Sequence, residues 1–388
     1  MTGESNPRSM NPLARLIAFY LPQFHPIPEN DEWWGRGFTE WTNTAKAKPL
    51  FRGHYQPHIP ADLGLYDLRL PETRQAQADM AREYGIEAFC YYHYWFAGRQ
   101  LLERPLREVV RSGKPDFPFC ICWANSTWTG IWHGAPDRIL VEQTYPGDAD
   151  HRAHFASLLP AFADDRYVTV NGKPIFVIFD PVGIPDVRRF TDLFHEMAHE
   201  AGLKGLHIVA NHGDPFWDPR PSGFDASTNT TLPQLRPWIS RRQILRWARK
   251  RYELIAGLPT IYLYEEAMDQ LMPVAVDGFD NYPCLIHAWD NSPRSGKHGL
   301  VLHDSNPELF RILVRKALEV RRHVPRDENF IFLKSWNEWA EGNHLEPDLK
   351  FGKGYLEVIK QEVFAASHAA NEARHVDVAG GLAISSSN

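Results

Sequence analysis

Residues 71–92, PETRQAQADMAREYGIEAFCYY, hold one complete unit of the pattern on which the fold rests. Pro71 opens a helical run over Glu72–Tyr84, since its fixed φ and missing N–H suit a first turn, and Gly85 stops it. Ile86–Tyr92 follows as a short, nearly continuous apolar run, the mark of a parallel strand covered on both faces. Further strands are predicted at Leu16–Leu21, Phe117–Trp123, Pro174–Asp180, Leu206–Asn211, Phe224–Thr228, Tyr282–Ala288 and Phe330–Trp336. Between them, Asp186 caps a helix over Val187–Ala201 that stops at Gly202. Asn306 and Pro307 start another, with Leu309, Leu313, Ala317 and Val320 on one face. The helix after the fifth strand is missing or reduced. Tyr167–Val170, Asn171-Gly172 and Lys173–Phe179 read as a hairpin with a type I′ turn.

Strands alternating with helices in this way predict an α/β fold, a single (β/α)8 TIM-type barrel with long loops at the C-terminal face of the strands. No Gly-rich fingerprint follows the first strand, which argues against an open dinucleotide-binding sheet. With no internal repeat or domain-sized linker, residues 15–367 read as one domain. Residues 1–14 read as a flexible N-terminus and residues 368–388 as a disordered tail rich in Ala, Gly and Ser.

Lys and Arg number 42 against 48 Asp and Glu, a net charge of −6 that lacks the basic excess expected for binding nucleic acid or an anionic membrane. There is no bilayer-length apolar run, and Met1–Arg15 has no apolar stretch of signal-peptide type, so the sequence predicts a cytoplasmic protein. Cys90, Cys120, Cys122 and Cys284 all fall in apolar runs and read as buried reduced thiols. Oligomeric state is left open.

In a barrel the chemistry sits where strands end and loops begin. Trp33, Trp34, Trp41, Trp95, Trp123, Trp128, Trp132, Trp217, Trp289, Trp336 and Trp339 all fall at or just beyond predicted strand ends. Some will pack loops onto the barrel, but as a cluster they suit the flat C–H face of a sugar ring. His25, Glu40, Asn43, His93, Asn125, Asp290, Arg294 and Asn337 lie beside them as partners for sugar hydroxyls, and Tyr20 and Tyr92 stand at the ends of the first two strands. The last strand runs into Ser335-Trp336-Asn337-Glu338-Trp339-Ala340-Glu341-Gly342. On a regular strand Glu338 and Glu341 would point apart, but a chain turning out of a barrel mouth brings i and i+3 together. Two close carboxyl groups cannot both ionise freely, so one becomes a candidate acid and the other a candidate base. Glycoside hydrolysis uses such a pair, and a separation of about 5 Å would indicate net retention.

These residues carry a family resemblance. The chain resembles the WbsX family, proteins similar to glycoside hydrolase family 99 and often encoded with bacterial O-antigen or exopolysaccharide genes. The matching segments span roughly residues 15–367: Phe19 to Pro26, Trp33-Trp34-Gly35, Gly37 to Trp41, Gly53 to His58, Phe89 to Phe96, Gly113 to Phe119, Trp289 to Arg294 and Asn337 to Pro347. The resemblance implies a (β/α)8 fold related to the endo-acting α-mannan hydrolases of family 99, which carry a similar Asn-Glu-Trp-x-Glu-Gly segment. It also implies that Glu338 acts as base on a sugar 2-hydroxyl, giving a 1,2-anhydro sugar, while Glu341 serves as general acid and then general base with net retention. One loop departs from the family pattern. Where relatives have an acid and an Arg pair, this chain has Ser126, Gly130 and Ile131, which implies a changed choice of sugars with charged substituents less well served.

Three other patterns carry less. His195-Glu196-Met197-Ala198-His199 matches a zinc-protease motif, but on its helix the two His lie opposite the apolar face. His54 and His58 are four apart with Pro57 between, which spoils a helical metal pair; hydrogen bonds within the loop are favoured over a place in the groove. Asp148-Ala149-Asp150 resembles a metal–nucleotide motif of glycosyltransferases, yet it precedes a helix whose N-terminus favours acids. The sequence therefore predicts a retaining, endo-acting hydrolase of a bacterial cell-surface glycan that needs no metal and no cofactor. A glycosyltransferase of polysaccharide biosynthesis and a non-catalytic carbohydrate-binding barrel are the alternatives.

Overall fold

The computed structural model describes residues 12–130, 135–232, 251, 253 and 255–365. Nine parallel strand segments form its central sheet. They are β1 (Arg15–Tyr20), β2 (Ala88–Phe96), β3 (Phe119–Trp123), β4 (Lys173–Ile178), β5 (His207–Asn211), β6 (Ala226–Thr228), β7 (Asp280–Tyr282), β8 (Cys284–Leu285) and β9 (Phe330–Leu333). Neighbours in sequence are neighbours in space from β1 to β7, and β8 pairs with β9, which returns to β1. The sheet is thus a nearly closed barrel, as expected of the alternating pattern.

Closure depends on Pro283. The expected seventh strand, Tyr282–Ala288, instead starts at Asp280 and splits into β7 and β8 on either side of that proline. Proline has no N–H to give to a ladder, so the strand breaks there. Its carbonyl still accepts from Phe332 N at 2.8 Å. β7 pairs with β6, and β8 with β9, so one kinked segment joins the two edges. Most other boundaries move by one or two residues, and two strand ends move further. β2 runs on to Phe96 because Tyr94–Phe96 pairs with Arg99–Leu101 in a hairpin beyond the barrel. β9 stops at Leu333 because the chain then turns outward.

The connections follow the sequence signals. Helices Pro71–Glu83, Val187–Glu200 and Pro307–Val320 form where punctuation placed them, and Asp186 and Asn306 each accept a capping hydrogen bond, from Arg189 N and Leu309 N. After β5 only a three-residue 3-10 turn, Arg220–Ser222, is found among the described residues. Asn171 and Gly172 both take positive φ, 53° and 78°, as the type I′ turn requires. Cys90, Cys120 and Cys122 are buried, and all four cysteines are unpaired thiols. No helix among the described residues is long and apolar enough to cross a membrane.

Inside the barrel Phe19 stacks between Tyr92 and Phe332, with ring centroids 5.5 and 5.3 Å away. Alternation along β9 carries this inward face from Phe332 to Lys334 at the mouth. Tyr20 points the other way, giving its hydroxyl to Gln77 on the helix outside at 2.6 Å. Phe19→Ala is expected to cost about 3–5 kcal/mol by emptying the barrel centre. Asn306→Ala should cost only about 1 kcal/mol through the lost cap. Denaturant unfolding of both variants checks this ranking, and equal losses would contradict it.

Candidate active site

Beyond Leu333 the chain folds back on itself. Asn337–Glu338 pairs antiparallel with Asn343–His344, and Trp339–Glu341 forms one 3-10 turn between them. Gly342 closes the turn at φ 56°, where a Cβ would stand 2.9 Å from Asp290 Cβ and 3.1 Å from Asp290 N. Only glycine fits there without displacing the backbone. The segment is tied down at each step. Ser335 Oγ accepts from Asn337 N and Glu338 N at 3.1 and 2.9 Å. Asn337 pairs its amide with both backbone groups of Leu21, at 2.8 and 3.0 Å. Trp339 donates its indole N–H to Glu346 at 2.6 Å.

The turn brings Glu338 and Glu341 onto one guanidinium. Arg294 Nη2 meets Glu338 Oε2 at 2.8 Å, and Nη1 meets Glu341 Oε1 at 2.5 Å. Glu40, fully buried, receives Nε and Nη2 on its Oε2 at 3.1 and 3.0 Å. Burial opposes charge on Arg294, but the three carboxylates outweigh it and raise its pKa further. Burial, with Glu341 adding to it, pushes the Glu338 carboxyl up to about 8 against the pull of Arg294. Burial raises Glu40 as well. The raised Glu338 carboxyl lets the site keep a proton at neutral pH.

These groups face a cavity of about 300 Å³ at the C-terminal ends of the strands. Its wall includes Trp34, Tyr92, Tyr94, Trp128, Phe179 and Trp289, with Gln23, Asn30, Ser126, Thr127, Thr129 and Lys334 as polar positions. Apolar faces with few polar groups suit a small organic ligand. Of the residues singled out from sequence, Trp34, Tyr92, Trp128, Trp289, Arg294, Glu338 and Glu341 share this cavity.

Other predicted contacts support the site from behind or lie elsewhere. Glu40 anchors Arg294, and Asn337 anchors β1. Trp41 is buried and bonds Tyr66 O at 2.7 Å. Asn125 is spent on Tyr145 and Asp180, and His93 contacts His154 at 3.0 Å. Trp95 points to Asp150, Trp123 to Trp95 O, and Trp336 and His25 are buried. Tyr20 faces outward from the barrel. Asp290 accepts from His54, Gln56 and Ser292 N, at 2.7, 2.6 and 2.9 Å, and lines a different, smaller cavity. Trp132 lies outside the described residues.

Sequence reasoning passed over Lys334, although alternation from Phe332 would have placed it inward. It is 7% exposed, with Nζ 5.7 Å from the centroid of Trp289. Tyr94 and Phe179 were missed because nothing local distinguishes them from core aromatics. The discounted motifs are otherwise engaged. His195 Nδ1 accepts from Leu206 N at 3.5 Å, and Glu196 and His199 are exposed. Asp148 pairs with Arg189 at 2.6 Å, and Asp150 accepts from Trp95.

The family model described as "Glycosyltransferase WbsX" matches residues 16–359. Two proteins called "Uncharacterized protein WxcX", from the B100 and ATCC 33913 strains of Xanthomonas campestris pv. campestris, are 37% and 36% identical over 92% of this chain. The chain spans about half of their length, 51% in each case. Among solved structures, a "Glycoside hydrolase-like protein" superposes with a TM-score of 0.55 at 15% identity, covering 93% of this chain and 97% of that one. The GH99 endo-alpha-mannosidase from Bacteroides thetaiotaomicron gives 0.55 at 14% identity, covering 92% and 98%. At such identities the structural likeness speaks for the fold alone, whereas the family match covers nearly the whole chain: this protein belongs to the WbsX family.

Proposed function

We propose that the protein is a retaining, endo-acting glycoside hydrolase that cleaves a bacterial cell-surface polysaccharide or oligosaccharide. One observation carries this reading: Glu338 and Glu341 share the guanidinium of Arg294 at the wall of a cavity lined by Trp34, Trp128 and Trp289. Two carboxyl groups that differ in burial and share one proton are the apparatus of acid/base cleavage at a glycosidic bond. The aromatic faces hold sugar rings, and Arg294 holds both carboxylates in place. Likeness of fold to an endo-α-mannosidase lends support.

In the role order suggested by the family resemblance, Glu341 protonates the leaving oxygen while Glu338 takes the proton of the sugar 2-hydroxyl. The resulting 1,2-anhydro sugar is then opened at C1 by a water that Glu341 deprotonates, while Glu338 returns its proton to the 2-oxygen. Side-chain exposure fits this order, since Glu341 is the more open of the two, at 15% against 9%. A second reading, transfer from a nucleotide sugar, is favoured by the description of the family model. The one triplet in its favour is occupied, Asp148 by Arg189 and Asp150 by Trp95.

The first test is incubation with bacterial polysaccharides and α-mannans, read by mass spectrometry for released oligosaccharides. Wild type is expected to release products, and Glu341→Gln and Glu338→Gln to lose roughly 10²–10⁴-fold of the rate. Unimpaired turnover in either variant would remove that residue from the mechanism. Nucleoside diphosphate binding without release of any oligosaccharide would favour the transferase.

The shared proton has its own signature in pH. The pair needs one proton to act, and the raised Glu338 carboxyl keeps it up to about pH 8. kcat/KM is therefore expected to fall as pH rises through that region. A profile that stays flat there would take the shared proton out of the mechanism.

Trp128→Ala is expected to weaken glycan binding by roughly tenfold, the worth of about one stacking contact. If the thermal midpoint drops while affinity stays, Trp128 is a packing residue for Trp33 and Tyr94, which it meets at 6.0 and 4.9 Å.

A further inference from the structure

Behind the turn that carries the carboxylate pair lies a second, smaller cavity of about 40 Å³, lined by His54, His58, His287, His303 and His344 along with Asp290 and Asp348. Nothing in the hydrolytic reading uses it. Among the described residues, one set of three side chains brings ligand atoms together as a metal ion would need: His58, His344 and Asp348, all within 4.8 Å of one another. His58 Nδ1 stands 2.8 Å from His344 Nε2, and Asp348 Oδ2 stands 4.0 Å from that same nitrogen.

Hydrogen bonding fixes which atoms are free. His344 Nδ1 lies 2.8 Å from the carbonyl oxygen of Glu346, which can only accept, so Nδ1 carries the proton and the Nε2 lone pair accepts from His58 Nδ1; an ion takes that place once the His58 proton moves to its own Nε2. A backbone carbonyl holding the far ring nitrogen is the usual support for a metal-bound imidazole. Asp348 Oδ1 is taken by the backbone N–H groups of Lys350 and Phe351, at 3.0 and 2.6 Å, which leaves Oδ2 turned toward His344. Both rings are held in place. His58 stacks on Tyr55 at 4.3 Å, and His344 on Trp339 at 3.7 Å. His58 is only partly buried, which gives an ion a way in.

We propose that His58, His344 and Asp348 bind a divalent transition metal ion of the zinc class, which clips the 54–58 loop to the segment bearing Glu338 and Glu341. Two imidazoles and a carboxylate suit such an ion, and the adjoining cavity has room for a water as the fourth ligand. The ion's effect on chemistry is indirect. His344 pairs with Asn337 across the short antiparallel ladder, and its ring backs Trp339, so a bound ion braces the turn. His54 already joins the same loop to Asp290, which sits against Gly342. The proposal stands independently of the hydrolase reading.

The test uses the full chain, stripped with chelator and titrated with zinc chloride alone, followed by calorimetry and thermal melting. The expected result is saturable binding of one zinc per chain, with a raised melting midpoint that chelator reverses. His58→Gln and Asp348→Asn should each weaken binding by more than roughly tenfold. Asn at 348 keeps the oxygen that caps the turn, so this variant is expected to fold. His195→Ala/His199→Ala, at the discounted motif, should bind as wild type does. Absence of saturable micromolar binding would overturn the proposal and leave a simple His58–His344 hydrogen bond. Binding undiminished in both ligand variants would overturn it equally.

Discussion

Three carboxylates crowd one guanidinium, and the rest of the site follows from that. Arg294 cannot leave Glu40, Glu338 and Glu341 without stranding buried negative charge, a cost of several kcal/mol. Glu40 is fully buried and comes from a short helix after β1, Arg294 comes from a loop after β8, and the pair comes from the turn after β9. One cation thus ties together three loops at the mouth of the barrel. Folding raises the carboxyl pKa values of Glu338 and Glu40, so the folded state binds protons more tightly than the unfolded one. The stability this gives is greatest at low pH and is lost as pH rises through the raised values.

The barrel supplies the frame that makes such crowding possible. Pro283 splits one strand so that β7 and β8 pair on opposite sides and join the sheet edges. Closure turns the ends of the strands toward one axis, and Phe19, Tyr92 and Phe332 fill the centre beneath the cavity. Above them Tyr94, Trp289, Lys334 and the pair form a wall that joins aromatic faces to charged groups. Lys334, just beyond β9, places an ammonium in the same lining as Ser126.

The WbsX family model carries the word glycosyltransferase, and the fold is shared with a family 99 endo-mannosidase. Both are catalysts at an anomeric carbon, and they differ in what leaves it. A transferase must hold a diphosphate, for which basic groups or a metal–acid pair are needed. In this cavity Arg294 is neutralised by three carboxylates, leaving Lys334 as the other cation among the described lining residues. That electrostatic balance fits a neutral leaving group protonated by an acid better than a diphosphate.

By itself the sequence determined the barrel, the alternation of its elements, the type I′ hairpin at Asn171-Gly172 and the pair Glu338/Glu341, because each is written in local patterns a few residues long. Apolar runs, caps and turn residues act on the backbone nearest to them, so they are legible without the rest of the chain. What the candidate polar residues do was decided only by tertiary structure. Glu40 and Asp290 look like sugar ligands in the sequence, but one is spent on Arg294 and the other on His54 and Gln56. The meeting of His58 with His344 and Asp348 was hidden for the same reason. A charged or hydrogen-bonding group takes its role from the partner that satisfies it. Here most of those partners lie tens to hundreds of residues away along the chain, where no local pattern records them.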